Sequence, residues 1–315
     1  MPEPHPTDPR PGDPRPTGPH PTGPHPADPH PADPHPAEAV RTVLSGLALG
    51  ESPRWHDGRL WLCDWGAQEL ITVGPDGRAA VAATVPSFPF CIAWLPGPDG
   101  RLLVVDGGDG RLLRQEADGA LAPCADLRPL SDRPWNEVAV DGRGNAYVNG
   151  IGFDLMGGEA PAPGLIALVA PDGGVRRVAD GLAFPNGMAV TPDGSTLLVA
   201  ESYAARLTAF TIGPGGDLTD RRVWAEVPGS APDGICLDAE GAVWFADVPG
   251  RCCVRVREGG EVLRRIELDR GCFSCALGGP DGRTLFLTAA EWPPPPGART
   301  GRLLAVDVDV PAHRR

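Results

Sequence analysis

The chain contains no lysine, and all 28 of its basic residues are arginine. The 41 acidic residues outnumber them and give a formal net charge of −13. No stretch gathers the positive charge into a stripe that could neutralise the phosphates of a nucleic acid. The charge pattern therefore predicts that nucleic acid is not a partner.

Long hydrophobic runs are also missing. No segment approaches the ~20 consecutive apolar residues of a membrane-spanning helix, and the N-terminus lacks the apolar core of a signal peptide. The eight cysteines lie mostly inside apolar runs, which is typical of core thiols in a reducing compartment rather than of disulfides. We therefore expect a cytoplasmic protein without a membrane partner, and the sequence leaves the oligomeric state open.

Residues 1–39 have almost nothing apolar to bury. Proline alternates there with His, Asp, Thr, Gly and Ala, so we predict a disordered, partly polyproline tail. The tail holds five of the seven histidines, which makes metal scavenging a minor alternative. Residues 40–315 are enough for one large domain with a full core.

Helical periodicity is nearly absent, and a repeat takes its place. A turn glycine followed by a β-rich run recurs at Gly58, Gly100, Gly144, Gly194, Gly241 and Gly282. A second hairpin follows in most of these units. Four short strands per forty-odd residues are typical of a propeller blade, so the sequence predicts an all-β, six-bladed β-propeller with four-stranded antiparallel blades.

The ends of the chain should close this ring. Segment 39–47, AVRTVLSGL, reads as a strand before the first unit, and segment 301–310, GRLLAVDVDV, reads as the third strand of the last unit. We predict that the N-terminal strand completes the last blade from outside.

Polar residues stand at a common phase, seven or eight residues before the turn glycine, where each inner strand begins. They are Glu51, Asn136, Asn186 and Asp233, and blade 6 offers Ser274. Inner strands face the central channel, so these side chains should converge on the propeller axis. Two carboxylates buried together need a compensating cation.

An all-oxygen set suits a hard divalent ion. Ca²⁺ is the first choice, and Mg²⁺ or Mn²⁺ are possible. Zn²⁺ fits least well because it prefers His and Cys, and only His56 and His313 lie outside the tail.

The alternative is that these residues are ordinary turns. Asn-Gly and Asp-Gly are common hairpin signals, and Pro-Asp-Gly occurs six times in this chain. The copy at Asp233 differs from the others because it runs directly into the apolar segment 235–237 and a second turn signal follows at 238–241. The shared phase of four such sites favours a convergent metal site over four separate turns.

Several segments together resemble the senescence-marker-protein/gluconolactonase family, also called regucalcin-like proteins. They are GESPRW (50–55), the Asn136 segment, FPNGMAV (184–190) and PDGICLDAEGAVWFADV (232–248). The resemblance covers about residues 40–310 and implies a six-bladed propeller with an axial divalent cation and hydrolysis of a lactone. It implies metal ligation by Glu51, Asn186 and Asp233, with Asn136 as a further ligand or a substrate contact, and Asp233 as the general base.

The resemblance also implies a small-molecule substrate, with a sugar lactone as the expectation. Family members often carry an Arg two residues before the Asn of blade 3, whereas here Arg133 is three residues before it and Trp135 lies between. Asp154 matches the position of an acid that contacts sugar hydroxyls. We expect Trp135, together with Phe90, Phe184 and Phe273, to line the channel mouth.

Other chemistries stay open at this point. A hydroxide on the cation could attack while Asp233 only orients it. A serine or cysteine nucleophile has candidates in Ser52, Ser202, Ser274, Cys91 and Cys275, but no G-x-S-x-G motif and hardly any histidine support it. A non-catalytic Ca²⁺-binding or ligand-binding propeller, or a hydrolase of other esters or organophosphates, is the alternative function.

The tail gives a first prediction. Deletion of residues 1–38 should leave the melting temperature and the catalytic rate unchanged, because a disordered segment contributes no packing. Calorimetry and a turnover assay on the truncated and full-length chains test this. Loss of folding in the truncated chain would contradict it.

Overall fold

The computed structural model describes residues 39–97, 100–295 and 297–313. Of the predicted tail, residues 1–39, the first 38 residues lie outside the described residues. Within them the chain forms six sheets of four antiparallel strands, each sheet running from an inner to an outer strand, and this arrangement is a six-bladed β-propeller. The predicted fold class is confirmed.

The strands follow the sequence repeat. Blade 1 contains β2 (Gly50–His56), β3 (Arg59–Asp64), β4 (Glu69–Val73) and β5 (Ala79–Thr84). Blade 2 contains β6 (Phe90–Trp94), β7 (Leu102–Asp106), β8 (Arg111–Gln115) and β9 (Leu121–Asp126). Blade 3 contains β10 (Trp135–Val140), β11 (Ala146–Gly150), β12 (Gly164–Val169) and β13 (Val175–Leu182).

The second half of the ring repeats the pattern. Blade 4 contains β14 (Pro185–Val190), β15 (Thr196–Glu201), β16 (Arg206–Ile212) and β17 (Leu218–Glu226), with a 3-10 turn at Ser202–Ala204. Blade 5 contains β18 (Pro232–Leu237), β19 (Val243–Asp247), β20 (Cys252–Val256) and β21 (Val262–Glu267). Blade 6 contains β22 (Gly271–Gly278), β23 (Thr284–Ala290) and β24 (Gly301–Asp307), and β1 (Arg41–Leu47) completes it.

The ring closes as predicted. Strand β1 pairs antiparallel with β24, so blade 6 takes its outer strand from the beginning of the chain and its other three strands from the end. Leu47 of β1 and Leu303 of β24 are both buried in the core shared with blade 1. Closure therefore joins the two ends of the propeller within one sheet.

The core lies between the blades rather than in one central mass. Each of the six apolar clusters in the described part of the chain joins two neighbouring blades, and together they cover all six interfaces. Trp135 and Trp244 are among the fully buried side chains in these clusters. The axis is thereby left free for polar residues.

Acidic side chains at the end of the second strand hold the loop that leads into the inner strand. Asp64 accepts a hydrogen bond from the backbone N–H of Leu49 (2.9 Å), and Glu201 accepts one from Ala183 (2.8 Å). Asp247 does the same in blade 5. These buried carboxylates fix the entry of three inner strands.

The described residues contain no helix long and apolar enough to cross a membrane. The cytoplasmic location stays a prediction from the sequence.

Bulges occur in five of the six inner strands, including β22 at Phe273, and four of them lie at the polar residues of the cavity. In blades 3, 4 and 5 one extra residue enters the inner strand at Asn136, Asn186 and Asp233, and in blade 1 the extra residue directly follows Glu51. The inner strand β6 of blade 2 has no such shift. Because a bulge re-aims the side chains of its strand, it lets these residues turn away from the interblade core and toward the axis.

The glycines after Asn186 and Asp233 do not form turns. Gly187 and Gly234 lie inside β14 and β18 and are not among the glycines with positive φ. A Cβ on Gly187 would lie 2.5 Å from the carbonyl oxygen of Asp233, and one on Gly234 would lie 2.5 Å from Cβ of Ser274. These glycines therefore allow neighbouring inner strands to approach closely at the axis.

Gly234→Ala should lower the free energy of unfolding by ~2 kcal/mol or more, because the added methyl group overpacks the contact between blades 5 and 6. Gly142→Ala is the matched control, since no atom lies within 4 Å of a Cβ at that position and its φ is not positive. Urea denaturation of both variants measures the difference. Equal stability of the two variants would refute the close-approach explanation.

Candidate active site on the propeller axis

The four polar residues predicted to converge do so. Glu51, Asn136, Asn186 and Asp233 line one cavity of about 1070 Å³. Residues before or within the inner strands of all six blades contribute to its lining, so the cavity lies on the propeller axis.

A chain of hydrogen bonds links these side chains across three blades. Asn136 Nδ2 donates to Asn186 Oδ1 (3.2 Å), and Asn186 Nδ2 donates to the hydroxyl of Ser202 (3.4 Å). That hydroxyl donates to the carbonyl of Pro232 (2.7 Å), directly before Asp233. The network fixes the two amides relative to the carboxylate that follows.

A third asparagine supports the backbone beside the first two. Asn149 is fully buried, accepts a hydrogen bond from the backbone N–H of Glu137 (3.1 Å) and donates one to the carbonyl of Asn186 (2.6 Å). It thereby ties the inner strands of blades 3 and 4 together at the level of the site.

The two carboxylates lack full compensation by positive charge. Burial raises the pKa of Glu51 from 4.5 to about 8, and the charge of Glu137 adds to the rise against the opposing effects of the Ser52 N–H and of Arg54. Burial, followed by the charges of Glu51 and Glu137, raises the pKa of Asp233 well above its usual range. Protein atoms surround Asp233 closely, although part of its surface stays open to the cavity.

The nearest cation is engaged with another acid. Arg54 Nη2 contacts Glu137 Oε1 at 2.9 Å, and its other terminal nitrogen donates to the carbonyl of Pro53 (2.9 Å). Arg54 therefore acts on two acids at once, Glu51 and Glu137, while Asp233 feels the negative charges of both acids. The floor of the cavity carries an excess negative charge that a divalent cation would balance.

The donor set fits a hard cation by its chemistry. Two carboxylates and two amides supply oxygen ligands, which Ca²⁺ and Mg²⁺ prefer. Burial raises the pKa of both carboxylates, and a nearby cation would favour their ionised forms. Among residues 39–97, 100–295 and 297–313, no three His, Cys, Asp or Glu side chains are grouped to hold an ion. Binding at this cavity would therefore depend on the amide oxygens as well.

The expected substrate contacts are less well placed. Arg133 does not line the cavity and instead pairs with Asp132 (3.1 Å) and Glu159 (2.9 Å). Asp154 does line it, but one carboxylate oxygen accepts a hydrogen bond from the backbone N–H of Gly157 (2.7 Å) and holds the turn of the blade 3 insertion.

The expectation that Trp135 and Phe90 line the channel mouth is wrong. Both side chains are fully buried and neither lines the cavity. Trp135 packs between blades 2 and 3, and Phe90 packs between blades 1 and 2. Phe184 and Phe273 line the cavity as expected.

The candidate nucleophiles lack a suitable setting. Of the described residues, no His or Cys lines the cavity. The thiol of Cys275 is 1% exposed and lies 3.7 Å from that of Cys236 in the core between blades 5 and 6. The hydroxyl of Ser202 is the only one of the three candidate serine hydroxyls in the lining, and it already donates to a backbone carbonyl.

The sequence patterns did not reveal the ion pair between Arg54 and Glu137. Both residues stand inside the motifs GESPRW and WNEVAV, so a search for opposite charges within the conspicuous motifs could have found them. The patterns also did not reveal Arg251, whose exposed side chain lines the cavity from blade 5. No local pattern distinguishes Arg251 from the other arginines.

The fold and the cavity define the class of protein first: a six-bladed β-propeller with buried carboxylates and amides on its axis. Residues 49–291 match the family described as the SMP-30/Gluconolactonase/LRE-like region. The match spans well over half of the chain. The protein belongs to this family.

Named relatives come from several organisms. The chain is 29% identical to pentonolactonase XacC of Haloferax volcanii over 259 residues, which cover 79% of this chain and 84% of that protein. It is 28% identical to the L-arabinolactonase of Azospirillum brasilense over 250 residues, 77% of this chain and 81% of that protein. The calcium-binding protein regucalcin of Agrobacterium tumefaciens shares the fold, with a TM-score of 0.74, 23% identity and coverage of 88% and 96% of the two chains.

The raised pKa of Glu51 predicts a pH dependence. Between pH 4.5 and about 8 the Glu51 carboxyl is protonated in the folded chain and ionised in the unfolded chain. In protein kept free of divalent cations, the free energy of unfolding should therefore fall as the pH rises through this range. Glu51→Gln should flatten this fall, whereas Glu261→Gln, at an exposed position before β21, should not. Denaturation curves with chelator across this range test it, and an unchanged slope in Glu51→Gln would contradict the assignment.

Proposed function

We propose that the protein is a metal-dependent lactonase whose active site is the axial cavity. One observation carries the proposal: the cavity floor combines two undercompensated carboxylates, Glu51 and Asp233, with two amides that a hydrogen-bond network holds in place. Membership of a family that includes a named pentonolactonase and a named L-arabinolactonase supports the reaction class.

Glu51, Asn136, Asn186 and Asp233 would hold the divalent cation, with Ca²⁺ the first choice. When bound, the cation would polarise the lactone carbonyl and stabilise the negative charge that develops on its oxygen. A related propeller described as calcium-binding supports this choice of ion.

Asp233 acts as the general base. Its carboxylate takes a proton from a water molecule as the water oxygen bonds to the lactone carbonyl carbon. The bond from that carbon to the ring oxygen then breaks, and Asp233 returns the proton to the departing alkoxide. The products are a hydroxy acid and a carboxylate that is ready for another cycle.

The surrounding residues position this base. The Asn186 amide favours the ionised carboxylate of Asp233 and so opposes the rise of its pKa, and the bond between Ser202 and Pro232 fixes the backbone before it. The charge of Glu137 favours the protonated form of Asp233, which helps the carboxylate to accept a proton. Arg54 limits this effect by pairing with Glu137.

Asp233→Asn should keep the fold and reduce the turnover of lactones by a factor of ~100 or more, because the amide cannot accept the proton. Asp281→Asn is the matched control: it changes the Asp of another Pro-Asp-Gly segment, and this exposed residue only caps the N–H of Arg283 (3.0 Å). A pH-stat assay on a lactone panel, with and without chelator, measures both. Near wild-type turnover in Asp233→Asn would refute the role of the base, and cation binding without turnover of any lactone would favour a binding protein.

A further inference from the structure

The cavity has a polar floor, formed by Glu51, Asn136, Asn186 and Asp233, and an aromatic wall around its opening. Three pairs of edge-to-face rings stand around the opening. One pair comes from the β3–β4 turn and the connection to blade 2, one from the start of blade 4 with its 3-10 turn, and one from blade 6. The pairs are Trp65–Phe88 (5.4 Å between centroids), Phe184–Tyr203 (4.7 Å) and Phe273–Trp292 (5.6 Å). All six rings belong to the cavity lining.

Apolar exposure is concentrated at this opening. Among the described residues, nine large apolar or aromatic side chains are exposed, and five of them line the cavity: Phe88, Leu155, Met156, Tyr203 and Trp292. The other four are valines on or beside outermost strands. The clustering of the larger side chains at one opening therefore marks a surface that contacts an apolar ligand.

The blade 3 insertion contributes the most adaptable part of the wall. Leu155 and Met156 lie in the loop between β11 and β12, and Met156 is 65% exposed. A flexible thioether side chain at this position can follow the shape of a variable substituent. Phe153, in the same loop, is buried and supports the ring of Phe184 from behind (5.6 Å).

Two acids of the wall, Asp154 and Asp269, are already engaged by neighbouring protein groups. Asp154 caps a backbone N–H, and Asp269 accepts hydrogen bonds from Nε (2.8 Å) and Nη2 (2.7 Å) of Arg270. Arg270 also donates to the carbonyl of Thr300 (2.6 Å). These groups would have to give up existing hydrogen bonds to bind a polyhydroxylated ring.

We infer that the preferred substrate is a lactone with an apolar alkyl or aryl substituent, its ring over Asp233 and its substituent against the aromatic wall. This inference rests on the proposed lactonase function and adds the substrate class. Each methylene moved from water onto such a wall should improve kcat/KM by up to about fourfold, until the chain extends beyond the cavity.

A homologous series of δ-lactones tests the inference. We would measure kcat/KM by pH-stat for δ-valerolactone, δ-octalactone and δ-decalactone, with glucono-δ-lactone for comparison and an enzyme-free blank for each. The expected result is a rise in kcat/KM of about tenfold or more from the unsubstituted to the longest chain, with the sugar lactone below both alkyl lactones.

Variants of the wall locate the effect. Met156→Ser and Trp292→Ala should each lower kcat/KM for δ-decalactone about three- to tenfold and change it less than twofold for δ-valerolactone. Val223→Ser is the matched control, because Val223 is 47% exposed on the outermost strand β17, away from the cavity. It should change neither value.

The outcomes separate the two claims. If none of the four lactones is opened, the lactonase function itself is wrong. If δ-valerolactone or the sugar lactone is opened but chain length has no effect, only the substrate class is wrong. The substrate class is also wrong if Trp292→Ala leaves the dependence of kcat/KM on chain length unchanged but changes the oligomeric state in sedimentation velocity. The aromatic surface would then join two copies of the chain.

Discussion

The charge imbalance at the centre of the ring is the constraint on which the site depends. The negative charge of Glu137 adds to the burial that raises the pKa of Glu51 and of Asp233, and Arg54 offsets only part of this rise at Glu51. A fold selected for stability alone would avoid this arrangement, because buried like charges are costly. A cation shared by the carboxylates would make the arrangement favourable, so the proposed ion binding would use this electrostatic cost as its driving force.

The backbone makes this arrangement possible in two ways. Bulges beside the four polar residues change the direction of their side chains, and the strand without a bulge, β6, contributes no polar residue. Gly187 and Gly234 then let adjacent inner strands come close enough for the amides and carboxylate to share one network. Apolar contacts between blades hold these strands in position, since every interface has its own buried cluster.

Floor and wall of the cavity have different structural origins. The floor is built from inner strands, and the whole ring fixes the geometry of these strands. Proteins that share the ring are therefore expected to share the floor and the type of reaction it supports. The wall is built largely from connections, such as the blade 3 insertion with Met156 and the β23–β24 loop with Trp292. Loops can change without disturbing the sheets, so substrate preference can vary among proteins that share the floor. The proposed preference for an apolar substituent follows from this division.

The sequence by itself determined the fold, the ring closure and the four residues of the floor. Each repeat forms one blade, so residues at the same position of successive repeats lie around the same axis. Counting back from the turn glycine of each blade therefore placed four residues on the axis: Glu51, Asn136, Asn186 and Asp233. The sequence did not determine the surroundings of those residues. Trp135 stands beside Asn136 but points into the core, because successive side chains of a strand face opposite sides and only the packed neighbouring blade decides which side is solvent. Likewise Arg54 meets Glu137 across 83 residues of chain, and the aromatic wall forms from loops of different blades. Contacts of this kind carry no local pattern, so only the tertiary structure decided them.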